Sequence, residues 1–131
     1  MTKTRIVVID DELEIRSVVT EYLQAIGYDV FEAASGIEAL SLFEPTEKPV
    51  DIALVDWNLP GISGRDVIKA IESRSPETVV VVTTGDSPES MNHRREAENW
   101  ADVVHKPFGL RQLRDRLATA LQFADIDPTG P

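Results

Sequence analysis

Cysteine is absent from the 131 residues, and histidine occurs only twice, as His93 and His105. The first absence removes disulfides, thiolate metal sites and a cysteine nucleophile, and two isolated histidines make no zinc pattern. Basic residues are scarce as well: 13 Lys and Arg stand against 23 Asp and Glu, a net charge of −10. A field of that sign repels nucleic acid and anionic lipid, so neither is an expected partner. No apolar run approaches the roughly 18 residues of a membrane span. Met1-Thr2-Lys3-Thr4-Arg5 leads straight into a short Ile/Val run rather than a signal sequence. A cytoplasmic location is the expectation. The length suits one domain with one core and is too short for two.

What is present is an alternation of β-branched runs, at 6–9, 30–33, 52–55, 79–83 and 103–104, with stretches of helical period. Continuous apolar runs without polar alternation read as strands buried on both faces, and therefore as a parallel sheet covered by helices on each side. The expected fold is a single doubly wound α/β domain of five parallel strands and about five helices. Ile15, Val18, Val19, Tyr22, Leu23 and Ile26 mark one face of the first helix, which Gly27 ends. The second follows Ser35-Gly36 with Ile37, Leu40 and Phe43 inward, and Pro45 and Pro49 bracket its exit. The third begins near Gly64, turns Val67, Ile68 and Ile71 inward, and stops before Pro76. A weaker helix is expected over 87–99, where Met91 and Ala97 are the only apolar residues. The last carries Leu110, Leu113, Leu117 and Leu121. Periodicity is lost after Phe123, so the domain is expected over 1–123, with 124–131 a tail or the start of a linker.

Ligands of open parallel sheets bind beyond the carboxyl ends of the strands, and there this sequence turns polar. The first strand runs into Asp10-Asp11-Glu12, the third into Asp56, the fourth into Thr84-Gly85-Asp86 and the fifth into His105-Lys106-Pro107. Two aspartates about 4 Å apart repel by roughly 4 kcal/mol at an effective dielectric near 20, so Asp10, Asp11 and Asp56 call for a cation. An oxygen-only donor set favours a hard ion such as Mg²⁺. A carboxylate flanked by such an ion, the Lys106 ammonium and the Thr84 hydroxyl is placed to attack an incoming phosphoryl group. Each feature alone has an ordinary reading, as a helix cap, a turn hydroxyl or a surface lysine. Their coincidence on four strand ends is what points to chemistry. His93 and His105 are read as solvated or packing residues.

In these residues the chain resembles the receiver domain of two-component response regulators, from about Lys3 to Phe123. The family's acidic pair matches Asp10 and Asp11, its phosphorylated aspartate Asp56, its Thr or Ser Thr84, and its Lys-Pro-Phe Lys106-Pro107-Phe108. The resemblance implies a flavodoxin-like fold with strand order 2-1-3-4-5 and a cis Lys106–Pro107 peptide. It implies Mg²⁺ on Asp10, Asp11, Asp56 and the backbone carbonyl of Asn58. It also implies phosphoryl transfer to Asp56 from the phosphohistidine of a histidine kinase or phosphotransfer protein, with Thr84 and Lys106 on the phosphoryl oxygens. Such a domain is a phosphoacceptor, with Mg²⁺-dependent self-phosphorylation and self-dephosphorylation as its only turnover. It signals to an output domain or target protein through the face of strand 4, helix 4 and strand 5, either alone or as part of a longer regulator.

One position departs from the pattern: Val103 stands where most receivers carry Tyr or Phe, and nearby Trp100 reads first as a packing residue. Three rival functions fit less well. A haloacid dehalogenase-type phosphatase needs a general acid where this chain has Asn58. A flavin mononucleotide binder needs a phosphate loop where it has Asp10-Asp11-Glu12. A degenerate receiver acting only as a binding module has no use for an intact Asp56, Thr84 and Lys106.

Overall fold

The β-branched runs form one parallel sheet of five strands: β1 (Arg5–Ile9), β2 (Asp29–Ala33), β3 (Ile52–Asp56), β4 (Val79–Thr84) and β5 (Asp102–His105). Their order is β2-β1-β3-β4-β5, as the resemblance implied. The computed structural model describes residues 3–44, 48–95 and 100–125, apart from the side chains of 92–95 and 123–125. Five helices complete the doubly wound arrangement: α1 (Leu13–Ala25), α2 (Gly36–Leu40), α3 (Gly64–Arg74), α4 (Pro88–Arg95) and α5 (Leu110–Asp125). Among the described residues no helix is long and apolar enough to cross a membrane.

Successive strand residues point to opposite faces, and here both sets are buried. Ile6, Val8, Ile52, Leu54 and Val81 pack against Val19 and Leu23 of α1 and Leu113 and Leu117 of α5. Val7, Ile9, Ala53, Val55 and Val82 pack against Ala39 of α2, Val67, Ile68 and Ile71 of α3, and Met91 of α4. In β1, β3 and β4 neither face meets solvent, which is why those runs lack polar alternation, whereas β2 at the sheet edge exposes Glu32. Each of these Val, Leu and Ile side chains, fully buried, stabilises the fold by about 1.5–3 kcal/mol. The register also levels the strand ends: Ile9 pairs with both Ala33 and Val55, and Asp56 pairs with Thr83.

Serines set the starts of α2 and α3, where Ser35 and Ser63 accept from the backbone N–H of Glu38 and Asp66 at 3.1 and 3.2 Å. Gly27, at φ +111°, closes α1 in the left-handed region that glycine tolerates. Three inward-facing assignments fail. Ile37 is 74% exposed, because α2 starts at Gly36 and turns Gly36 and Ala39 inward, which leaves position 37 outward, while Phe43 is buried from the 3-10 turn Ser41–Phe43 that follows. Val18 and Ile26 are 50% and 41% exposed, so the buried stripe of α1 narrows to Val19 and Leu23, with Ile15 and Tyr22 at its margin. Helix α4 is described over Pro88–Arg95 of the expected 87–99 and is capped by Ser87 accepting from Ser90 N–H; 96–99 lie outside the described residues, as do Pro45 and the final residues 126–131.

Gly64 is where the fold reaches the strand ends. A Cβ built there would sit 2.7 Å from the Asp56 carbonyl oxygen and 2.7 Å from Trp57 Cα, so only glycine lets α3 start against the segment that carries Asp56. Gly64→Ala is therefore expected to destabilise the domain by about 1–3 kcal/mol, the usual cost of overpacking. Urea unfolding followed by circular dichroism measures the loss, and unchanged stability would mean that the loop gives way freely.

Candidate functional site

The polar residues that follow the strands converge at the carboxyl edge, beside the crossover between β1 and β3. Asp10 and Asp56 are 4% and 1% exposed, whereas Asp11 is exposed, and oxygens of all three carboxylates lie within 4.8 Å of one another. The Lys106 ammonium sits among them, 3.2 Å from Asp10 Oδ2, 3.2 Å from Asp56 Oδ2 and 3.4 Å from Glu12 Oε1. The Lys106–Pro107 peptide is cis. Each buried carboxylate also accepts from the backbone N–H two residues ahead, Glu12 to Asp10 at 2.8 Å and Asn58 to Asp56 at 3.0 Å. These local turns fold each carboxylate back over its own strand end.

Three carboxylates thus share one ammonium, and Asp11 adds a fourth negative charge beside them. Burial pushes the Asp56 carboxyl up from its ordinary value, and the nearby Asp10 charge adds to this, while the Asn58 N–H and Lys106 only partly offset them. Burial alone would lower Lys106, yet the charges of Asp56 and Asp10 outweigh it and hold the ammonium above its ordinary range. The donors are all oxygens and the negative charge is in excess, which suits a hard divalent cation.

The fourth strand end carries a second network. Thr84, fully buried, donates its hydroxyl to Asn58 Oδ1 at 3.2 Å and accepts from the Asp86 N–H at 3.0 Å. The Asn58 amide reaches Asp86 Oδ1 at 3.4 Å, and His105 Nδ1 lies 3.0 Å from the Asp86 carbonyl oxygen. His105 is thus a half-buried packing residue tied to the loop after β4; the side chain of His93 lies outside the described residues. Trp57 meets Trp100 edge to face, with ring centroids 5.3 Å apart, and Val103 packs against the same cluster as Trp100 and Met91. Sequence reasoning brought Asp10, Asp11, Asp56, Thr84 and Lys106 to this edge, and took Asn58 only for its backbone carbonyl. It missed the Asn58 side chain, the contact of Glu12 with Lys106, and Arg16, which donates to the Asp10 carbonyl oxygen at 2.8 Å. Their only trace in the sequence is polarity beside a strand end.

Residues 6–118 match the family model of the response regulator receiver domain. The chain belongs to that family. This receiver domain is 38% identical over 120 residues to the cyclic di-GMP phosphodiesterase of Thermotoga maritima, covering 91% of the domain but 31% of that protein. It is 28% identical over 117 residues to sporulation initiation phosphotransferase F of Bacillus subtilis, covering 88% of this chain and 91% of that one. The CheY-like receiver domain protein of Methanospirillum hungatei matches it in structure with a TM-score of 0.83 at 28% identity, over 95% of this chain and 98% of the other. The domain spans about a third of the phosphodiesterase's length, so the activity in that name belongs to the larger protein.

Because the folded-state pKa of Asp56 is raised, its ionisation opposes folding once the pH exceeds its unfolded value near 3.8. Asp56→Asn should therefore raise the melting temperature at pH 7 in the absence of divalent cations. The gain should vanish below pH 3.8, where the carboxyl is protonated in both states. Calorimetric scans across pH check the sign, and a lower melting temperature for the Asn variant at pH 7 would show that the bond to Lys106 outweighs burial.

Proposed function

We propose that this receiver domain accepts a phosphoryl group on Asp56 from the phosphohistidine of a histidine kinase or phosphotransfer protein. Asp10, Asp11, Asp56 and the backbone carbonyl of Asn58 would hold Mg²⁺. The observation that carries the reading is a nearly inaccessible Asp56 carboxylate grouped with Asp10, Asp11 and Lys106, with Thr84 on the neighbouring strand end. In the transfer an Asp56 oxygen forms a bond to phosphorus as the P–N bond breaks. The electron pair returns to the imidazole nitrogen, which then takes up a proton from solvent. Mg²⁺, when bound, offsets the repulsion among the carboxylates and draws charge from the phosphoryl oxygens. Lys106 then exchanges its carboxylate partners for a phosphoryl oxygen, and the Thr84 hydroxyl leaves Asn58 Oδ1 for another. Asn58 has no proton to give as a general acid, which separates this site from a hydrolytic phosphatase.

The partner's approach is supported by a groove of about 580 Å³ that opens beside Lys106 between α1 and the segment after β5. Ile15, Val18, Val19, Pro107, Phe108 and Leu110 line it, with Glu12 and Glu14 on its rim. An apolar surface next to the acceptor fits a donor protein that must stay docked during the transfer. On the other side the Asp86 N–H ties the loop after β4 to Thr84, so a moving Thr84 carries the start of α4 with it. Val103 is β-branched and does not toggle between inward and outward rotamers as a ring does, so the readout runs through repositioning of α4 against β5.

Acetyl phosphate or beryllofluoride with Mg²⁺ should modify the protein once, and Asp56→Asn should abolish the modification. Labelling of the Asn variant at the wild-type rate would sink the assignment. Asp11→Ala should weaken Mg²⁺ binding by at least tenfold, read by tryptophan fluorescence. Lys106→Ala should still take up beryllofluoride but lose its effect on α4. Amide NMR reports that effect: in the wild type the signals of residues 87–95 and of Trp100 should shift on beryllofluoride binding. Shifts confined to the opposite edge of the sheet, around β2, would place the signalling surface elsewhere.

A further inference from the structure

The peptide unit that joins Asp10 to Asp11 carries two of the three clustered carboxylates. Because that unit is planar, its orientation sets the direction from which both side chains leave the backbone. Its carbonyl, that of Asp10, accepts from Arg16 Nη1 at 2.8 Å, while the preceding peptide is anchored to β2 by the Asp10 N–H, which donates to the Ala33 carbonyl at 3.1 Å. The same guanidinium donates through Nε to Glu32 Oε1 at 3.0 Å, and the Arg16 side chain is only 13% exposed. One planar group therefore ties the loop after β1, helix α1 and strand β2 together, with two donors aimed at two different acceptors.

We propose that Arg16 is a positioning residue for the divalent cation, acting on Asp10 and Asp11 through the peptide they share, an inference that rests on the Mg²⁺ reading above. Without the guanidinium the Asp10 carbonyl is a half-enclosed acceptor with no donor, and the peptide is free to rotate. Repulsion between the carboxylates then spreads them, and the cation has to reassemble its site on binding. The sign of the effect separates positioning from electrostatics. A cationic side chain beside a cation site opposes binding by charge alone, so neutralising Arg16 would tighten Mg²⁺ binding if charge were its whole contribution. Positioning predicts the reverse.

The test compares Arg16→Met, Arg16→Lys and Glu32→Gln with the wild type in Mg²⁺ titrations read by tryptophan fluorescence, and independently by the rise in melting temperature that Mg²⁺ produces. Arg16→Met should bind Mg²⁺ about tenfold more weakly, as is usual when a group that orients a metal ligand is lost. Arg16→Lys, which keeps the charge and a single donor, should fall between Met and wild type, and Glu32→Gln should show a smaller loss. Raising Mg²⁺ in proportion should restore full beryllofluoride occupancy of Arg16→Met, since Asp56, Thr84 and Lys106 are untouched. Unchanged or tighter Mg²⁺ binding by the folded Met variant overturns the proposal, and so does a beryllofluoride deficit that persists at saturating Mg²⁺. Should Arg16→Met fail to fold, the ranking of Arg16→Lys and Glu32→Gln below wild type decides in the same way. A wild-type protein that does not respond to Mg²⁺ overturns the underlying metal reading instead.

Discussion

The ammonium of Lys106 holds together two buried carboxylates that stand 96 and 50 residues away from it in the chain. It is the interaction on which the rest of the edge depends. Asp10 and Asp56 follow strands whose side chains are removed from water on both faces, and the register that pairs Ile9 with Val55 brings those strand ends level. Two carboxylates so placed would drive the ends apart without a cation between them. One lysine, delivered from the far side of the sheet by β5, partly neutralises them, and its other bond, to Glu12, draws in the start of α1.

The neutralisation is incomplete. With Asp11 and Glu12 included, negative charge remains in excess, and Asp56 is held above the ordinary carboxyl range. The stability for this comes from elsewhere, from the two apolar layers that α1 and α5 on one face, and α2 to α4 on the other, form against the sheet. A core that large tolerates a strained polar edge, and in the proposed reading the unmet negative charge there is what would give a divalent cation its affinity.

The sheet and the site were legible for the same reason: the β-branched runs are continuous, and the reactive side chains follow them directly in the chain. Asp56 after Ile52-Ala53-Leu54-Val55 declares both a strand and its polar end. Where a contact depends on geometry between distant elements, the sequence is silent. Ile37 looked like a core residue because its period is right, but the helix phase is decided by Gly36 lying against Val67 and Ile62 of its neighbour. Val18 falls within the periodic stripe of α1 yet borders the groove beside Lys106, which α5 leaves uncovered. The Asn58 side chain and Arg16 act on partners in other strands, and no spacing rule points to them.

The exchange of an aromatic for Val103 has a physical counterpart in Trp100. Its indole is 7% exposed, packs on the edge of Trp57 next to Asp56, and among the described residues has no hydrogen-bond partner for Nε1. A buried N–H left unpaired costs on the order of 1–3 kcal/mol, so an arrangement of α4 and β5 that pairs it gains at most that amount. A nearly complete two-state switch needs about 5.5 kcal/mol of preference. Relief of Trp100 alone therefore falls short, and in the proposed switch the larger share would come from the contacts that Thr84 and Lys106 make on leaving Asn58, Asp10 and Asp56. In the proposed switch the tryptophan would bias the equilibrium, whereas the charged edge would drive it.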